Sequence, residues 1–188
     1  MALIPTTILT GFLGAGKTTL LNRILQEPHG FKIAVIENEF GQENIDNEIL
    51  VQDGTEQIVE MNNGCICCTV RGDLIIALTS LAQKRNAGEL QFDHVVIETT
   101  GLANPGPVAQ TFFVDEEVAS EYLVDAIITV VDAKHAMHQL DSYEEAQRQV
   151  GFADKLLFSK TDLVSADELK ALTERIKRIN PRAPISTT

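Results

Sequence analysis

Residues Gly11 to Thr18 read GFLGAGKT, and Asn63 to Cys68 read NGCICC. The first stretch fits G-x-x-x-x-G-K-[ST], a loop whose glycines let the backbone wrap closely around phosphates while N–H groups at a helix start meet their charge. Gly11, Gly14, Ala15, Gly16, Lys17, Thr18 and Thr19 are therefore the candidate nucleotide contacts. Lys17 would reach the β and γ phosphates, and the Thr18 hydroxyl would hold Mg²⁺. The plainer alternative is a glycine turn with a chance lysine, against which stand an apolar strand before it and a helical pattern after it.

The second stretch brings Cys65, Cys67 and Cys68 into one short loop. Thiolates suit Zn²⁺, Cu(I) and iron-sulfur chemistry. Three sulfurs do not close a tetrahedral site, so a fourth ligand is needed, and an open position also suits a cargo ion that must leave again. Buried cysteines acting as small hydrophobes and a redox sensor are the competing readings.

Further candidates stand at the ends of apolar runs. In HVVIETTG, Glu98 would bind Mg²⁺ through water or orient the attacking water, and Gly101 would let the backbone approach the γ phosphate. In ENEFG, Glu37 would complete a metal site or reach toward Mg²⁺. In SKTD, the Asp162 carboxylate would accept from the ring N–H and exocyclic amine of guanine, with the Lys160 stem along the base; the alternative for Asp162 is a helix N-cap. His135 and His138 lie three apart without a third ligand nearby, and read as exposed histidines.

These residues need a frame that gathers them. Runs rich in Ile, Val and Leu (LIPTTILT, KIAVIEN, QIVEMN, DHVVIETT, DAIITVVDA, DKLLFSK) alternate with segments of helical spacing. Continuous apolar strands separated by helices predict a mostly parallel sheet covered on both faces, an α/β fold in three layers. Helices are predicted over Lys17 to Gln26, Thr69 to Arg85, Pro105 to Thr111, Ser142 to Gly151 and Ala166 to Ile179, with one last strand over Pro184 to Thr187.

The 188 residues, 44% of them hydrophobic, support one complete core, so one domain is expected over 1–188. The net charge of −12 supplies no basic face, and nucleic acid is not expected as a partner. The apolar start lacks a basic leader and runs straight into the glycine loop, which argues for a buried strand over a signal peptide. No apolar run approaches the roughly 20 residues of a membrane span, and the clustered cysteines rule out a disulfide framework. A cytoplasmic protein without a membrane partner is expected.

Taken in order, GFLGAGKTTLLN, ENEFG, NGCICC, ETTGLANPGPV and SKTD resemble the CobW-like metallochaperone GTPases, relatives of UreG and HypB. The resemblance covers nearly the whole chain, and the cysteine motif between a phosphate loop and ETTG is its most specific element. It implies a P-loop GTPase domain with Lys17 and Thr18 as phosphate and Mg²⁺ contacts, and Cys65, Cys67 and Cys68 as the metal motif. Glu98 takes the place of the Walker B acid, and Lys160 and Asp162 those of the base readers. It also implies GTP hydrolysis to GDP, with delivery of a transition metal, zinc or cobalt, to a client metalloprotein.

Three departures stand out. Ser159 replaces the Asn common in guanine motifs, so an amide bond in the pocket is expected to be lost. Gln42 follows ENEFG where many relatives have Glu. Relatives usually continue into a smaller C-terminal domain, which is not expected within these 188 residues. Turnover should be slow because no arginine is plainly placed to act in cis, Arg71 being the exception, so a client or a second copy forming a homodimer should accelerate it. A P-loop ATPase or kinase, and a non-enzymatic zinc-binding or redox-sensing protein, remain the rival classes.

Overall fold

The computed structural model of the chain describes residues 2–37, 51–52, 56–60 and 69–188. Cys65, Cys67 and Cys68 lie outside the described residues, as does the side chain of Arg71.

Strand β1 (Ile4–Gly11) leads through the glycine loop into helix α1 (Lys17–Gln26), followed by β2 (Ile33–Glu37), the short β3 (Val51–Gln52) and β4 (Glu56–Glu60). Helix α2 (Thr69–Asn86) returns to β5 (His94–Glu98). Two helices, α3 (Pro105–Val114) and α4 (Glu116–Glu121), precede β6 (Tyr122–Asp132), and two more, α5 (Ala136–Ser142) and α6 (Glu144–Phe152), precede β7 (Lys155–Ser159). Helix α7 (Ala166–Ile179) and β8 (Ile185–Thr187) complete the chain.

The eight strands form one sheet in the order β3-β4-β2-β5-β1-β6-β7-β8. Each described pairing is parallel except β3 with β4. The expected α/β class and mostly parallel sheet are therefore observed.

Alternation along the strands divides the core by face. Ile8, Ile36, Ile97 and Ile127 join one cluster with the α2 residues Leu74, Leu78 and Leu81, and Val131, Leu156 and Phe158 continue on that face with α6 and α7. Their neighbours Leu9, Val35, Val96 and Val130 point the other way, onto Leu21 and Leu25 of α1. The spacing of Leu74, Ala77, Leu78, Leu81 and Ala82 is one helical stripe, which is why α2 lies flat on the sheet. Helices on both faces of the sheet make the three layers.

The predicted bounds of α1 and α7 are observed, and α7 begins with a capping box in which Ser165 and Glu168 exchange hydrogen bonds. The cap is thus Ser165, not Asp162. Helices α4 and α5 and strand β3 were not predicted; at six, seven and two residues they are too short to display a period. Strand β6 starts three residues before the predicted Asp125, because Tyr122 to Val124 pair with Ile4 to Thr6 before a register shift at Thr6/Thr7.

Candidate functional site

Gly11, Glu37, Glu98, Asp132 and Ser159 end five strands of the sheet, and all five lie at its C-terminal edge. Ligands in open α/β sheets bind along this edge, outside a strand whose two flanking crossovers lie on opposite faces. Here that strand is β1, between β5 and β6, and the loop that leaves it is GFLGAGKT.

The loop's shape follows from its glycines. Gly16 sits at φ 95°, left-handed, and opens α1 without a side-chain cap, leaving the first N–H groups of the helix to a ligand. A Cβ on Gly11 would stand 2.3 Å from the Val130 carbonyl oxygen, so β1 passes β6 there only as glycine. Gly101 is equally constrained: its Cβ would fall 2.6 Å from the backbone nitrogen of Leu13. Gly101 therefore seats the phosphate loop itself, a reason for glycine additional to any approach to phosphate.

Lys17, Leu21 and Leu25 form the buried stripe of α1, which carries the lysine inward with its apolar neighbours. Its ammonium donates to the carbonyls of Gly11 at 2.9 Å and Phe12 at 3.4 Å. Burial pushes its pKa down, and the Glu98 charge opposes that shift. Thr18 Oγ1 donates to Glu98 Oε1 at 2.7 Å. Glu98 is 8% exposed, and its Oε2 is buried without a hydrogen-bond partner. A buried carboxylate oxygen so placed, beside a hydroxyl, suits a hard divalent cation such as Mg²⁺, which takes oxygen ligands. Thr19 is exposed on the first turn of α1.

The SKTD segment is stapled onto the same loop. Ser159 Oγ donates to the Ala15 carbonyl at 2.6 Å. Lys160 Nζ donates to the Gly14 carbonyl at 2.9 Å and to Asp132 Oδ2 at 2.7 Å. Asp162 lies exposed in the 3-10 turn Thr161–Leu163 that follows.

Glu37 lies in register with Glu98 on one side and Glu60 on the other, so three glutamates end three adjacent parallel strands. His135 and His138 do not form a pair: His135 Nδ1 bonds Asp132, whereas His138 Nδ1 faces Ser142. Among the described residues no group of three or more His, Cys, Asp and Glu side chains is arranged to hold a metal ion.

Two residues of this edge escaped the sequence reading. Asp132, 2% exposed, ends β6 just as Glu98 ends β5, and that parallel was the available signal. Gln149 is buried on α6 and donates to the carbonyls of Gly101 and Ala103, holding the turn after Glu98. Its signal was a polar residue on the stripe defined by Ala146 and Val150.

A parallel sheet with a glycine loop, a buried lysine at the start of the next helix and a strand-terminal acid on its threonine defines a P-loop NTPase domain. Residues 5–187 match the family model "CobW/HypB/UreG, nucleotide-binding domain", and the chain belongs to that family. It is 52% identical over 184 residues to the zinc chaperone YjiA of Escherichia coli, covering 98% of this chain and 57% of that protein. It is 42% identical over 191 residues to zinc-regulated GTPase metalloprotein activator 1 of Schizosaccharomyces pombe, covering 98% of this chain and 46% of that protein. The crystal structure of the Zn(II)-bound YjiA GTPase from E. coli superposes with a TM-score of 0.79 at 46% identity, covering 100% of this chain and 58% of that one. The chain thus spans about half the length of the curated relatives it matches.

Proposed function

We propose that this chain binds and hydrolyses GTP and uses its nucleotide state to control a transition metal carried to a client metalloprotein. The observation that carries this reading is the pair of bonds from Ser159 and Lys160 to the phosphate-loop carbonyls of Ala15 and Gly14. Asp162, two residues on, is exposed and is not the cap of α7; in this reading its carboxylate accepts from the N–H groups of guanine and would meet an acceptor on adenine.

In this reading the first N–H groups of α1 and the Lys17 ammonium hold the β and γ phosphates. The phosphate oxygens take the place of the Gly11 and Phe12 carbonyls as partners of Lys17. Thr18 and Glu98 are the residues that would hold Mg²⁺, which supplies positive charge against the charge developing on the γ-phosphoryl group. In this reading Glu98 also orients the attacking water. Water adds to the γ phosphorus, the bond to the bridging β–γ oxygen breaks, and GDP and phosphate leave.

The metal is cargo. Cys65, Cys67 and Cys68 are its soft ligands in this proposal, with Glu37 the fourth, and Zn²⁺ or Co²⁺ the ion. Its support is the names of the relatives, zinc chaperones and zinc-regulated activators, together with the position of Glu37 beside Glu98 in the sheet. A loop ordered by the γ phosphate and released on hydrolysis would gate the thiolates. By linkage, the metal must change GTP affinity by the factor that GTP changes metal affinity.

The test is zinc affinity by competition with a chromophoric chelator, in Mg²⁺ with a non-hydrolysable GTP analogue, with GDP and without nucleotide. Tighter binding with the analogue than with GDP is expected. Equal affinity in all three would separate the thiolates from the nucleotide site. Displacement of GDP by ATP as readily as by GTP would make the protein an ATPase.

A further inference from the structure

Asp132 is a buried carboxylate that the nucleotide reading does not use. Burying a charge is costly unless donors surround it, and four do. The backbone N–H groups of Lys134 and His135 donate to Oδ1 at 2.9 and 3.2 Å, and His135 Nδ1 and Lys160 Nζ approach Oδ2 at 2.9 and 2.7 Å. Among the described ion pairs, Asp132 is the partner of Lys160.

Lys160 is in turn unusual. At φ 55° it is the one described non-glycine residue with positive φ, a conformation that is strained for a residue carrying a side chain. Such a backbone persists only where its surroundings hold it. The holders here are the Ser159 hydroxyl on Ala15 and the Lys160 ammonium, which spans from Asp132 to the Gly14 carbonyl. The left-handed residue then turns the chain directly into the Thr161–Leu163 turn that carries Asp162.

We propose that Asp132 is a specificity-positioning residue. Resting on the guanine-nucleotide reading above, it anchors the Lys160 ammonium so that the left-handed turn presents Asp162 to the base in a single geometry, with His135 closing the solvent side of the carboxylate. It touches no substrate and acts through Lys160. The alternative is that Asp132 merely caps the turn at Lys134 and His135 through their N–H groups.

Asp132→Asn separates the two, because an amide oxygen still accepts from both backbone N–H groups but no longer carries the charge that holds the ammonium. The purified 188-residue chain is titrated with Mg²⁺ and GDP, ADP or inorganic pyrophosphate, pyrophosphate engaging the phosphate loop alone. Asp132→Asn is expected to weaken GDP about tenfold or more, to reduce the GDP-over-ADP preference by a similar factor, and to change pyrophosphate affinity less than about threefold. Adding Lys160→Met to Asp132→Asn is expected to weaken GDP no further than Lys160→Met alone.

Equal weakening of GDP and pyrophosphate, or additive losses in the double variant, would overturn the positioning role while leaving the guanine reading intact. A parent protein without preference for GDP over ADP would overturn both. Should Asp132→Asn fail to fold, Asp132→Glu, which keeps the charge but moves it by one methylene, is judged by the same GDP-to-pyrophosphate ratio.

Discussion

Thr18 Oγ1 and Glu98 Oε1 lie 2.7 Å apart although 80 residues separate them in the chain. The bond ties the first turn of α1 to the end of β5 and leaves Glu98 Oε2 buried without a partner. In the proposed site that oxygen is the acceptor for hydrated Mg²⁺ or for the attacking water. Glu98→Gln keeps the shape and one carbonyl acceptor but removes the charge. GTP turnover is expected to fall about a hundredfold or more with GDP affinity nearly unchanged; phosphate release against a titration of Mg²⁺ measures the first and a GDP binding titration the second. Full turnover in Glu98→Gln would remove the acid from the reaction.

Gly101 against Leu13 predicts a packing defect with a functional readout. In Gly101→Ala the new methyl would stand 2.6 Å from the Leu13 nitrogen, so the phosphate loop must shift. Overpacking of this kind costs about 1–3 kcal/mol. Urea denaturation should show the loss of stability, and pyrophosphate affinity should fall alongside it, because the loop that moves is the one that holds phosphate.

Gln149 tests how the turn after Glu98 is held. Gln149→Leu fills the same space but leaves the Gly101 and Ala103 carbonyls without their side-chain donor. Buried acceptors left unmet cost about 1–3 kcal/mol each, so a loss of about 2 kcal/mol or more is expected in denaturant unfolding. A neutral result would mean that water reaches both carbonyls.

The acid limb of stability should report Asp132. Burial alone would raise its pKa, but hydrogen bonds from Lys160 and His135 outweigh it and hold the carboxyl below the ordinary carboxylate value. A carboxylate depressed in the folded state stabilises above its unfolded pKa of about 3.9, and that contribution is lost as pH falls through the lower folded value. The stability gap between the parent protein and Asp132→Asn should therefore be widest above about pH 5 and narrow below about pH 4. Chemical denaturation in steps from pH 7 to pH 2.5 measures it, and a gap independent of pH would place the effect elsewhere.

Local chemistry was legible wherever one segment carries its own signal. The glycine loop lies between a strand and a helix as its pattern requires, and α7 begins and ends where a Ser165 cap and an apolar stripe through Leu172 and Ile176 put it. Where an element is too short for a period, as in α4 and α5, or where a strand is lengthened by pairing with a distant partner, as at Tyr122, nothing local announces it. Asp132 and Gln149 were hidden differently. An aspartate at a strand end and a glutamine in a helix are common, and their meaning lies in what they touch.

The sequence alone determined the inventory: a phosphate loop, a cysteine cluster, a strand-terminal acid, the tetrapeptide SKTD and the α/β frame to hold them. These follow from residue type and period, which act over a few residues. Tertiary structure decided the pairing. The order β5-β1-β6-β7 sets Glu98 on Thr18 and, across 144 residues, Ser159 on Ala15. It also gave Gly101 a steric duty toward Leu13 and set Asp132 beneath Lys160. Strand order is fixed by which apolar faces bury one another most completely, a property of the whole core that no single segment contains.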